Sequence, residues 1–285
     1  MTNIVVPFDF SNEAEIGIEL ALQLSKVGDC VLQLVYVQRK QPDFGHLGLL
    51  DERRIAEREL DAILERIQPR LAPRVRAERV IRQGKVYREI VDQAEMYEDS
   101  LIVTSTHGAS GFEEIFLGSN TLRMLASTTR PVFTIKHGVV PGDIRTILFP
   151  LDTTFESRQK APYVARLAKD WNAEVRILAV MESANKAVRA KLQSYLAQVE
   201  SYLDDRKVRH AAQTVQDADL VDLTLEQATR TPNSLIAITT RDKEAPRIFL
   251  VGNKPQRLIS QSPVPVVAVA PVVEPIRDSF RATGS

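Results

Sequence analysis

Two places in the sequence carry residue types and spacing suited to holding a phosphorylated ligand. The first is Ser105-Thr-His107-Gly108-Ala-Ser-Gly111, running on to Gly118-Ser119. Glycine lets backbone approach a ligand closely and permits positive φ. A helix opening near Ser119 would offer N–H groups and a positive dipole end, which suits phosphate. The Ser119 hydroxyl could add a hydrogen bond. The dipole is worth only about 0.3–1 kcal/mol at an exposed site, so affinity would come from several N–H bonds together. The second place is Asp9, which follows the apolar run NIVVPF. A carboxylate there could accept from a ribose hydroxyl or an adenine amine. Plainer roles compete at each position. Asp9 or Ser11 can cap the next helix, and Gly108 and Gly111 can simply form a turn. Ser119 can be an ordinary N-cap, and His107 a satisfied loop histidine.

The elements that must position these residues alternate along the chain. NIVVPF reads as a buried strand. Residues 12–26 place Ile16, Leu20, Leu24 and Val27 at helical spacing. VLQLVYV is a β-branched strand, and 51–71 an exposed amphipathic helix. VRAERVIRQG, VYREIVDQAEMY and SLIVTST predict a strand, a helix and a buried strand; a helix over 119–129 and the strand PVFTIK complete the set. This order favours an α/β domain with a parallel, helix-covered sheet. Ligands in such sheets sit beyond the carboxyl ends of the strands, at the switch point. The informative residues should therefore follow the first and fourth strands.

The chain repeats itself. Residues 146–180 lie over 3–37 at an offset of 143, which places Pro150 on Pro7, Asp152 on Asp9 and Val180 on Val37. Residues 233–254 lie over 99–120 at an offset of 134. A chain of 285 residues thus divides into two copies of one domain, 1–142 and 143–285. The loop QRKQPDFGHLGLLDERR (38–54) differs most between the copies. It suits a lid, a partner surface or a plain solvated connection.

Charge and composition exclude other classes. The 37 basic and 37 acidic residues cancel, so neither nucleic acid nor an anionic membrane is favoured. No run of 18 apolar residues marks a membrane span, and the first residues do not read as a signal peptide. The single cysteine, Cys30, allows no intrachain disulfide and suits a reducing cytoplasm; it should pack at the start of the second strand. Trp171 should cover the core near a helix end. No G-x4-G-K-[S/T] loop, G-x-S-x-G elbow, H-E-x-x-H motif or C-x2-C pair occurs.

The spacing Ser105-x2-Gly108-x9-Gly118-Ser119, the Pro7-x-Asp9 that ends the first strand and the duplication resemble the universal stress proteins, in their tandem form. The resemblance covers about 3–136 and 145–271. It implies two Rossmann-like (adenine nucleotide alpha hydrolase-like) domains, each with a five-stranded parallel sheet. It also implies ATP or AMP binding, with Mg²⁺ as a companion of the phosphates, and a stress-response or signalling role. By position, Pro7, Asp9 and Val37 would surround the adenosine. Thr104, Ser105, Gly108, Gly118, Ser119 and Asn120 would surround ribose and phosphates. Members dimerise through the last strand, so two copies in one chain could form an internal pseudo-dimer, and a homodimer is also open. Ser105 replaces the first glycine of the family signature, which requires ordinary or slightly strained backbone there.

In the second copy the aligned residues are Thr239, Asp242, Gly252 and Asn253. Asp242 puts a negative charge where a phosphate would sit. Only two of the 12 glycines, Gly252 and Gly284, follow residue 143. The second copy is therefore expected to be a degenerate partner domain. Two rival readings stand beside nucleotide binding: a weak ATPase using His107 or Asp9, and an interaction scaffold that binds no nucleotide.

Overall fold

The computed structural model describes residues 1–38, 46–106, 117–181, 185–216, 218–240 and 254–271, with backbone alone for 46–49. The chain divides into two compact units, Met1–Pro141 and Gly142–Ser285.

The first unit runs β1 (Thr2–Pro7), α1 (Asn12–Leu24), β2 (Cys30–Gln38), α2 (His46–Ile67), β3 (Val75–Gln83), α3 (Val86–Glu95), β4 (Ser100–Ser105), α4 (Ser119–Ser127) and β5 (Val132–Ile135). Its strands lie in the order β3-β2-β1-β4-β5, all parallel. The second unit runs β6 (Thr146–Leu151), α5 (Ala161–Asp170), β7 (Glu174–Met181), α6 (Lys186–Asp205), β8 (His210–Gln216), α7 (Leu220–Arg230), β9 (Ser234–Thr239), α8 (Lys254–Gln261) and β10 (Val266–Val269). Its order is β10-β9-β6-β7-β8, again parallel. Both units are the α/β fold that the alternating pattern predicts.

The middle residues of the central strands are apolar because helices cover both faces of a parallel sheet. Ile4, Val5 and Val6 of β1 and Ile102 and Val103 of β4 are at most 2% exposed. The outer strand β3 is different. Its sequence VRAERVIRQ is half-exposed and charged, which suits an edge that must not recruit another strand.

Two glutamines buried inside the first unit are paired, as burial demands. Gln33 on β2 and Gln93 on α3 are 1% and 3% exposed. Gln93 Nε2 donates to Gln33 Oε1 at 3.0 Å, and Gln33 Nε2 donates to Glu78 Oε1 at 2.7 Å. Arg82 Nε closes the chain by donating to Gln93 Oε1 at 2.9 Å.

Two local readings change, and the second unit departs from the first at one helix. Ser119 is not the N-cap of α4. Gly118 is, with φ −54° and ψ 140°, and no side chain caps the helix. The helix α2 begins at His46, so the second part of the 38–54 segment is helical and not loop; residues 39–45 lie outside the described residues. The helix after β6 is broken: a 3-10 turn at Glu156–Arg158 precedes α5, where the first unit has the unbroken 13 residues of α1. Cys30 opens β2 and is buried, as expected; Trp171 stands at the end of α5, as expected, but is half-buried.

Candidate functional site

β1 lies between β2 and β4, so its carboxyl end is where the strand order reverses. The register carries Val5 against Ile102 and Pro7 against Val35. Two residues further along each strand, the chain reaches Pro7 and Thr104, and Val37 on β2. The residues predicted from the first, second and fourth strands therefore share one edge of one sheet.

Asp9 is exposed just past β1. Its Oδ1 accepts from the Ser11 amide at 3.2 Å and from the Ser11 hydroxyl at 2.5 Å. Ser11 Oγ in turn accepts from the Ala14 amide at 3.2 Å and is the N-cap of α1. Capping thus falls to Ser11, while Asp9 orients the cap. A carboxylate has about four lone-pair sites, so Asp9 retains acceptor capacity toward solvent.

Between these two residues, Phe10 sits at φ 63°. Left-handed backbone is uncommon for a bulky residue and is tolerated only where the surroundings fix it. Here aromatic contacts do so. The Phe10 ring meets Phe8 edge-on at 5.4 Å and Tyr36 at 5.1 Å between centroids. Tyr36 donates its hydroxyl hydrogen to Glu52 Oε1 at 2.7 Å, linking the end of β2 to α2.

The fourth strand and α4 are tied together. The Gly118 amide donates to the Thr106 carbonyl at 2.8 Å, and Thr121 Oγ1 donates to the Ser105 carbonyl at 3.2 Å. These bonds set the start of α4, with half-buried Gly118 and Asn120 and exposed Ser119, beside Thr104 and Ser105. Both of those are buried. Ser105 is the last residue of β4 and is not among the described non-glycine residues at positive φ, which are Phe10, Asn172 and Lys207. The serine in place of glycine therefore costs no backbone strain. Eight predicted residues meet at this edge: Pro7, Asp9, Val37, Thr104, Ser105, Gly118, Ser119 and Asn120. Gly108 and His107 lie outside the described residues.

The second unit repeats the first turn. Asp152 Oδ1 accepts from the Thr154 amide at 2.9 Å and the Thr154 hydroxyl at 2.5 Å. Val180 is buried near the end of β7. Asp242, Gly252 and Asn253 lie outside the described residues. A residue that sequence reasoning passed over dominates this edge: Lys160, 2% exposed. Its ammonium donates to the Pro150 carbonyl at 2.8 Å and the Ser157 carbonyl at 2.6 Å, and lies 4.0 Å from the Phe149 ring centroid. Burial pushes this amine down to about 7, opposed by the nearby Asp152 carboxylate. The 143-residue offset, which aligns it with Gly17, was the available signal. Phe10 and Tyr36 were likewise passed over in the first unit.

The arrangement at the first unit's edge combines an exposed carboxylate, hydroxyls and a helix start without a capping side chain. Such a set can accept from hydroxyls and amines and can donate to an anion.

The family description "Universal stress protein family" matches residues 1–136 and again 143–270. A comparison with curated proteins finds no match. Among solved structures, a universal stress protein from Archaeoglobus fulgidus DSM 4304 is 21% identical, with a TM-score of 0.75, covering 94% of this chain and 98% of that one. A functionally unknown protein from Pseudomonas aeruginosa PAO1 is 13% identical, with a TM-score of 0.62, over 95% and 92%. The cytoplasmic domain of a prokaryotic cation chloride cotransporter is 11% identical, with a TM-score of 0.53, over 94% and 93%. At these identities the structures are alike in fold.

Proposed function

Because the chain belongs to the universal stress protein family, we propose that its first unit binds ATP or a related adenine nucleotide in a stress-response or signalling role. The observation that carries this reading is the meeting of Asp9, the end of β4 and the uncapped start of α4 at one sheet edge. Asp9 would accept from the ribose or the adenine amine, beside Pro7 and Val37. The first-turn N–H groups of α4 and the Ser119 hydroxyl would donate to phosphate, and Gly108 and Gly118 would let backbone come close. Mg²⁺ would enter with the phosphates. The second unit keeps Asp152 but carries Asp242 where the first has Gly108, so one nucleotide per chain is the expected stoichiometry.

Mass analysis of small molecules released on denaturing the purified protein tests this without assuming a mechanism. An ATP titration adds the stoichiometry, and no saturable binding up to millimolar ATP would sink the reading. Gly108→Asp should transfer the second unit's charge into the first and abolish binding. Phosphate release that depends on His107 would instead favour a weak ATPase.

A further inference from the structure

At the 143-residue offset Lys160 occupies the position of Gly17. Gly17 lies inside α1. A Cβ there would meet Val6 Cγ1 at 3.6 Å, the Val103 carbonyl oxygen at 3.9 Å and the Ser105 amide nitrogen at 4.0 Å. These are ordinary contacts, so crowding does not demand the glycine. The glycine is buried against the wall formed by the carboxyl ends of β1 and β4 and brings no side chain to it.

In the second unit that wall is covered. Pro162, at the start of α5, has no N–H to give the preceding turn, and the helix restarts with Lys160 as its N-cap. The lysine side chain then turns back along the sheet. It crosses the ring of Phe149, the counterpart of Val6, and ends on the carbonyl of Pro150, the counterpart of Pro7. Its second partner, the Ser157 carbonyl, belongs to the 3-10 turn and is the counterpart of Ala14. Four methylenes and an ammonium thus lie beside Pro150, where the aligned residue of the first unit has no side chain.

We propose that position 17/160 decides which unit's strand-end crevice admits a ligand: Lys160 is a built-in occupant of the second unit's crevice, whereas Gly17 keeps the first unit's crevice open to a nucleoside. This rests on the reading that the first unit binds an adenine nucleotide. It is separate from the charge of Asp242, which concerns the phosphates alone.

The test uses the full chain and two readouts. Lysine acetylation by a water-soluble acetyl ester, followed by peptide mass analysis, reports occupancy. Lys160 should react at least tenfold more slowly than the exposed Lys169, and in Gly17→Lys the introduced amine should be protected to the same degree. Isothermal titration with ATP reports the consequence. Wild type should saturate, and Gly17→Lys should weaken binding at least tenfold. Gly17→Met, which fills the space without a charge, does the same if the lysine variant fails to fold. Fast acetylation of Lys160 overturns this inference alone, as does wild-type ATP affinity in a folded Gly17→Lys or Gly17→Met. A wild-type isotherm that never saturates overturns the nucleotide reading and takes this inference with it.

Discussion

Asp9 holds Ser11 by two hydrogen bonds, one to its amide at 3.2 Å and one to its hydroxyl at 2.5 Å. One carboxylate therefore serves both the fold and the exposed edge, and substitutions should separate the two duties. Ser11→Ala removes the cap of α1 and should cost about 1 kcal/mol, seen as a melting shift of about 2–4 °C. Asp9→Asn keeps an acceptor for Ser11, so the melting temperature should move little. It loses the charge, so ATP affinity should fall roughly tenfold, the scale of a charge-assisted hydrogen bond. Calorimetric melting and titration of both variants check this.

Gly118 caps α4 at φ −54°, an angle open to any residue. Its glycine is therefore not needed for the backbone. Gly118→Ser supplies the missing cap and should stabilise the helix by a few tenths of a kcal/mol. The same side chain intrudes where phosphate is proposed to sit, so ATP affinity should fall. A variant that melts higher and binds less tightly would separate capping from binding at this residue.

Lys160 predicts a particular dependence of stability on pH. Its amine is lowered from 10.5 to about 7 in the folded protein. Between those values the unfolded chain holds the proton and the folded chain does not. Stability therefore rises with pH across that window, and the burial penalty is in full force below about 7. Lys160→Met should flatten this slope, whatever it does to stability at any single pH. Urea unfolding at pH 6.5 to 10, followed by Trp171 fluorescence, measures it in the right place. That residue is the one tryptophan in the chain and belongs to the second unit.

Cys30 should be chemically silent in the native protein. It is 3% exposed, and burial raises its thiol to about 11, with Asp29 adding to the shift. The thiolate is the reactive form. Iodoacetamide at pH 8 should leave Cys30 unmodified in the native chain and alkylate it fully in urea. Rapid native labelling would show that the start of β2 opens readily.

The elements were legible because their signals are local. NIVVPF, VLQLVYV and SLIVTST are apolar runs bounded by breakers, and each became a strand. Asp9 and Ser105 were legible because chain order alone puts them at strand ends. Lys160 was not. A lysine reads as solvent-facing from any local pattern, and its burial depends on two carbonyls and a ring supplied by the end of β6 and the following turn. Phe10 escaped for a similar reason. Nothing in Asp-Phe-Ser announces a left-handed phenylalanine; Phe8 and Tyr36 hold it there. The break before α5 was visible in Pro162, but the strength of the 143-residue alignment masked it.

The pairing of β1 with β4 has a consequence for how the chain is made. Thr2 Oγ1 donates to Asp99 Oδ2 at 2.7 Å across 97 residues of sequence, and Asn3 pairs with Ser100. At about 5–20 residues per second, β1 waits roughly 5–20 s after emerging before its second neighbour exists. The strand left one-sided during that delay contains Ile4, Val5 and Val6, which are fully buried at the end. The second unit repeats the wait, since Thr146 pairs with Ser234. Two similar centre strands, NIVVPF and TILFPL, then compete for two similar partners. Exchange between the copies is therefore the misassembly to expect of this chain on refolding. Dilution will not relieve it, because both competitors are tethered in one molecule.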